Sequence, residues 1–287
     1  MVACATHPHT PATSSTTSTT STPSPHQETT VSNKAKVGAF LGAVMQHDAH
    51  GMRQLANADY IQHNPFIPTG LEPFIELLPM LKAHGTTAEN IRMFEDGPYV
   101  FMHNIWRNAQ PFGADTMVSF DIIRVDEQGK VAEHWDVLMP QTPPNPSGRT
   151  LTDGPHVVED LERTEANKAQ VKALFEVLIH GTPEQAGAAV QANFAPDYVQ
   201  HNPVAADGLE GFMAALPAEQ WVFKQQHKVL GEGNFVLSIS EGTHRGQAVA
   251  FYDLLRLKDG LIVEHWDVIQ AIPTEGLAND NGMFGFR

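Results

Sequence analysis

The chain has 287 residues, 41% of them hydrophobic and 18% charged, with a formal net charge of −15. That is length enough for two domains of ordinary size, and the acidic balance argues against nucleic acid or an anionic membrane as a partner. No apolar run approaches the roughly 20 residues a membrane-spanning helix needs, and one cysteine, Cys4, rules out a disulfide or a thiolate metal site.

Residues 1–31 are mostly Thr, Ser and Pro and cannot bury enough surface to offset ordering entropy, so they are expected to be disordered. Met1-Val2-Ala3-Cys4 before this tether is similar to the end of a bacterial lipoprotein signal, although the apolar core of such a signal is missing. As written the chain reads as cytoplasmic; a start further upstream would make it an envelope lipoprotein acylated at Cys4. Val37, Phe40, Leu41, Val44 and Met45 then mark one face of a helix capped by Ser32 or Asn33. Short helices are expected near 50–58 and after Gly70, where Pro73 suits a first turn. The period then changes to two, with strands near 88–95, 98–107, 116–125 and 130–138 and a turn at Asp126-Glu127-Gln128-Gly129.

The same order then returns. Val171, Leu174, Phe175, Leu178 and Ile179 form a second amphipathic face, with Thr164 as expected N-cap and Gly181 past the end, followed by a helix near 183–193. Tyr60-Ile61-Gln62-His63-Asn64-Pro65 recurs 138 residues later as Tyr198-Val199-Gln200-His201-Asn202-Pro203. Glu133-His134-Trp135-Asp136-Val137 recurs 131 residues later as Glu264-His265-Trp266-Asp267-Val268. Two domain-sized copies exclude a solenoid and indicate a tandem duplication. Helices followed by an antiparallel meander make each copy α+β. The expected organisation is a first domain at 32–140, a linker at 141–163, a second domain at 164–273 and a tail at 274–287.

Each repeat resembles a SnoaL-like domain of the nuclear transport factor 2 (NTF2-like) superfamily. The resemblance is carried by the Gln-His-Asn-Pro segments, the strands Phe120–Arg124 and Tyr252–Arg256, the acidic-Gly turns and the Glu-His-Trp-Asp-Val strands. The branch it most resembles is labelled an aldol-condensation-catalysing protein, akin to polyketide cyclases. The resemblance implies two tandem cystatin-like cones, each a curved antiparallel sheet wrapped on helices around an apolar pocket. It also implies pairing through the sheets, here as an intramolecular pseudo-dimer or a further homodimer. A fold is not an activity, since this one hosts both enzymes and binding modules.

Alternation places His134 and Asp136 on one face of their strand, opposite Glu133, Trp135 and Val137. Asp121 shares a face with Ser119, and His63 opposes Gln62 and Asn64; the pattern does not choose which face lines a cavity. A carboxylate in an apolar cone has its pKa raised toward the range useful for proton abstraction, and a nearby His can hold or orient the proton. By resemblance to cyclases with an Asp/His pair, Asp136 or Asp121 is the candidate base, with His134 and His63 as catalytic partners. Asn64, Trp135 and His103 are candidate substrate contacts, as are His201, Asn202, Asp253, His265, Trp266 and Asp267 of the second repeat. No metal or other cofactor is required.

Against this stands a plain structural reading. Gln-His-Asn-Pro becomes a turn that bonds its own backbone, and Glu-His-Trp-Asp a strand whose Trp fills the core. His103 aligns with Ile239 and Trp106 falls near Gly242, so the first repeat keeps the fuller polar set and is the expected seat of a single active site. The alternative to acid/base chemistry on a carbonyl compound is a non-catalytic module that holds a small apolar ligand or serves dimerisation.

Overall fold

The computed structural model describes Met1 and residues 31–286; the rest of the expected disordered head, Cys4 included, lies outside the described residues. In the first repeat, α1 (Asn33–Met45) starts where the Ser32 hydroxyl accepts from the Ala35 N–H, and it buries Val37, Phe40 and Val44. It is followed by α2 (Ala49–Leu55), β1 (Ala56–Gln62), α3 (Leu71–Ile75), α4 (Leu78–His84), β2 (Thr87–Asp96), β3 (Tyr99–Arg107), β4 (Thr116–Val125) and β5 (Val131–Pro140). The second repeat runs α5 (Thr164–His180), α6 (Pro183–Asn193), β6 (Phe194–Gln200), α7 (Gly208–Glu219), β7 (Val222–Glu232), β8 (Phe235–His244), β9 (Gln247–Lys258) and β10 (Leu261–Ala271). A capping box between Thr182 and Gln185 starts α6. Thr164, the expected cap of α5, is instead its first residue, and its hydroxyl accepts from the Gly233 N–H.

The two sheets have the same strand order, β1-β5-β4-β3-β2 and β6-β10-β9-β8-β7. Four strands of each form the expected antiparallel meander. The fifth, β1 or β6, adds in parallel beside β5 or β10; the first residues of β1, Ala56-Asn57-Ala58-Asp59, overlap the helix expected near 50–58, because none of them favours strands. At the β9–β10 hairpin both linking residues, Asp259 and Gly260, have positive φ, the backbone of a type I′ turn.

Both faces of each sheet are covered. One face receives the repeat's own helices, as where Val100, Met102 and Ile123 meet Val37, Phe40 and Val44. The other contributes to a single core that includes Phe101, Phe120, Ile122 and Trp135 of the first sheet with Leu237, Ile239, Tyr252 and Trp266 of the second. Hence Met117 through Ile123 are buried without alternation.

Contacts between the repeats come in matched pairs. Lys34 of α1 reaches Glu232 at 2.9 Å and Lys168 of α5 reaches Asp96 at 2.6 Å. The Glu95 N–H donates to Glu232, and the Gly231 N–H to Asp96. The segments after β5 and β10 cross in the same reciprocal way. The Asn145 amide donates to the carbonyls of Gln200, Asn202 and Ala205. Asn279 and Asn281 share the equivalent task on Asn64, Ile67 and Gln62. Arg92 of β2 donates to the carbonyls of Pro155, Thr152 and Asp153 and lies 4.2 Å over the Trp266 ring.

Candidate active site

The helix-facing side of the first sheet gathers a polar cluster from three strands. Tyr60, Gln62 and Asn64 follow at every second residue along and beyond β1, Asp121 comes from β4, and His134 and Asp136 come from β5; all six line one cavity. Parallel pairing of β1 with β5, with Gln62 opposite His134, brings the two repeated motifs together. The second repeat reproduces the set as Tyr198, Gln200, Asn202, Asp253, His265 and Asp267 around its own cavity.

The hydrogen bonds fix where the protons are. The Asn64 N–H donates to Gln62 Oε1 at 2.8 Å, so that oxygen is the acceptor, and His134 Nδ1, 3.2 Å from it, must carry a hydrogen. His134 Nε2 faces Asp121 Oδ1 at 3.1 Å, and that contact needs one proton shared between them. In the second repeat the Asn202 N–H and Gln200 Oε1 impose the same tautomer on His265, with Asp253 Oδ1 at 3.1 Å.

Beside each His lies a second carboxylate. Asp136 Oδ2 accepts from the Asn64 amide at 2.9 Å and Asp267 Oδ2 from that of Asn202 at 2.7 Å, while the Oδ1 of each is buried without a hydrogen-bond partner. Burial pushes Asp136 up to about 6, helped by the charge of Asp121 and opposed by His134. Asp267 is likewise raised to about 6 by burial and Asp253, against His265. Burial draws the His134 imidazolium down, but the charge of Asp136 and the hydrogen bond and charge of Asp121 outweigh it, so its pKa is raised. In His265 the Asp253 hydrogen bond leads the same reversal of burial. Each cavity thus holds a base poised near neutrality next to a proton-bearing His–Asp pair.

Two residue types in this cluster were not among the expected site residues. Gln62 and Gln200 set the His tautomers. Tyr60 and Tyr198 accept from those glutamines, and their own hydroxyl hydrogens have no acceptor among the described residues. Burial raises both tyrosines, keeping them protonated. The signal was present, since the repeated text begins Tyr-x-Gln with the period of a strand face.

Four expected groups of the first repeat, Asp136, His134, Asp121 and Asn64, come together, as do Asp267, His265, Asp253 and Asn202 of the second. His63, Trp135 and His103 do not, because alternation turns them to the other face. His63 stacks on Trp135 at 4.5 Å, bonds Glu133 at 2.9 Å and contacts the Gly282 carbonyl at 2.6 Å. His201 and Trp266 repeat the stack at 4.7 Å, with Glu264 and the Thr150 carbonyl. His103 lies against Phe120 and Arg92, and burial together with the Arg92 charge pushes its pKa well down. These five lie on the sheet face away from the helices and do not line the cavities, which is not the place at a site expected of them. Asp121, His134 and Asp136, and equally Asp253, His265 and Asp267, each converge closely enough to hold a metal ion.

Residues 171–265 match the SnoaL-like domain family. The second repeat is thus similar to a SnoaL-like domain. The first repeat has the same strand order and polar cluster, with two short helices, α3 and α4, where the second has the single α7, so the NTF2-like fold occurs twice. Among solved structures, IdmH of Streptomyces antibioticus, provisionally described as a polyketide cyclase, is 18% identical over 38% of this chain and 92% of its own, with TM-score 0.33. An NTF2-like protein of unknown function from Cytophaga hutchinsonii is 16% identical over 39% and 95%, with TM-score 0.34. A cystatin-like protein from Silicibacter pomeroyi is 17% identical over 37% and 75%, with TM-score 0.32. Nothing among the curated proteins matches the sequence. Among the described residues no helix is long and apolar enough to cross a membrane.

Proposed function

We propose that the SnoaL-like cavity binds a small carbonyl compound and enolises it by acid/base chemistry carried by its own side chains. The observation that carries this reading is the unpartnered Oδ1 of a buried aspartate, Asp136 or Asp267, in an apolar cavity beside a His–Asp pair. That oxygen takes a proton from the carbon next to the carbonyl. The C–H electron pair becomes the new C=C bond, and the carbonyl π pair moves onto oxygen. The free O–H of Tyr60 or Tyr198 donates to that oxyanion, where a positioned donor has most effect. The imidazolium of the His–Asp pair balances the charge of the base. Return of the proton at another carbon completes an isomerisation; attack of the enolate on a second carbonyl completes an aldol closure.

Proton–deuterium exchange at carbon, followed by NMR on a panel of cyclic and acyclic ketones, tests this. Wild type should exchange at a rate that rises with pH through about 6, where the base loses its proton. An Asp→Asn change at the working base should lower the rate on the order of 10²–10⁴-fold. Exchange no faster than buffer, or unchanged in both Asp136→Asn and Asp267→Asn, would refute the reading.

The reciprocal ion pairs and crossed segments also support a reading of the chain as an intramolecular pseudo-dimer, since matched contacts of this kind are the mark of a two-fold interface. Light scattering should give the mass of one chain; a stable dimer would show that a pairing face is still free.

A further inference from the structure

The two cavities have the same polar floor and very different room. The first encloses about 60 Å³, space for a couple of waters at about 30 Å³ each. The second encloses about 430 Å³, within the range of small-molecule pockets, roughly 300–1,000 Å³. The difference has a local cause. In the first repeat Trp106 of β3 enters the cavity and meets Phe112 edge-on at 5.5 Å, and Phe112 is supplied by the long β3–β4 connection, residues 108–115. In the second repeat the place of Trp106 is taken by Gly242, and the connection shrinks to residues 245–246.

The plug also ties down the site's own carboxylate. The Trp106 indole N–H donates to Ser119 Oγ at 2.9 Å, Ser119 donates to Asp121 Oδ2, and Asn104 donates to the same oxygen at 2.8 Å. Ser240 and Phe251 stand where Asn104 and Ser119 would be, so Asp253 Oδ2 is buried with no hydrogen-bond partner. The second cavity therefore has two unsatisfied carboxylate oxygens, Asp253 Oδ2 and Asp267 Oδ1, on residues that are each only 5% exposed. Unpaired buried acceptors of this kind are costly unless something binds them.

We propose that the second repeat is the ligand-binding site and that the first is a filled copy, its room taken by Trp106 and Phe112. This rests on the enolisation reading for the ligand's chemistry, a carbonyl on an apolar body too large for the first cavity, but not for its location. Gly242 brings no side chain to that place, where an added Cβ would meet the Val222 carbonyl oxygen.

The test uses the full chain and prodan, an uncharged naphthyl ethyl ketone whose fluorescence reports binding. Wild type should bind one prodan per chain. Gly187, on α6 in the wall of the second cavity, has nothing within 4 Å of an added Cβ, so Gly187→Phe should fold and weaken binding at least tenfold. The double change Trp106→Ala with Phe112→Ala should raise the stoichiometry to two. Circular dichroism of each variant checks the fold. Two sites in wild type, no binding in wild type, or binding that Gly187→Phe leaves intact would each overturn the inference. So would a stoichiometry of one in a folded double variant. Because binding is read without turnover, a protein that loads prodan once and never exchanges its protons would sink the enolisation reading and leave this inference standing.

Discussion

The floor of the first cavity and the floor of the second carry the same Tyr, Gln, Asn, Asp, His and Asp, yet one has an indole in its room and the other is several times larger. The lesson is that side-chain identity at a site and the room around it are set by different parts of the sequence. The floor comes from the two repeated motifs. The difference in room comes from Trp106 standing where the second repeat has Gly242, and from a β3–β4 connection six residues longer than its counterpart.

If the floors are equivalent, they must titrate alike. Asp136 and Asp267 are both raised from 3.8 to about 6, so the folded protein binds more protons than the unfolded chain between those values. Each aspartate then contributes stability that is fully present below about pH 4 and lost as pH rises through about 6, on the order of 3 kcal/mol. Chemical denaturation across that window should show the loss, and Asp136→Asn and Asp267→Asn should each remove about half of it. A slope removed by one variant alone would break the equivalence.

The tryptophans behind the floors sharpen the contrast at a smaller scale. The Trp266 indole N–H donates to the Asp153 carbonyl at 2.9 Å, while that of Trp135 is buried without a partner. Replacing Trp266 with Phe should cost about 1–3 kcal/mol more than the same change at Trp135, where an orphaned donor is removed. Equal losses in thermal unfolding would show that the two indoles are held alike.

Much of this was legible in the sequence. Helical and alternating periods located α1, α5 and the four meander strands, because each has a strongly apolar face. The start of β1 was hidden under an expected helix, since Ala56 through Asp59 favour no strand and their place comes from parallel pairing against β5. Asp121, His134, Asp136 and Asn64 could be grouped by motif and alternation. The side they face could not, because both faces of the sheet are buried, one under helices and one against the other sheet. Trp106 looked like an added site residue, and only the packing makes it a stopper, since volume is a property of neighbours distant in sequence.

The connection from β5 to α5 does more than join two repeats. In a homodimer of identical chains every substitution is written on both sides of the axis, so a residue that plugs one pocket plugs its twin. Joining the copies in one chain removes that constraint, because residues 106 and 242 can change independently. The reciprocal contacts of Lys34 and Lys168, and of Asn145 and Asn279, keep the partnership balanced where balance holds the protein together. Away from them the fused gene is free to make its halves unlike.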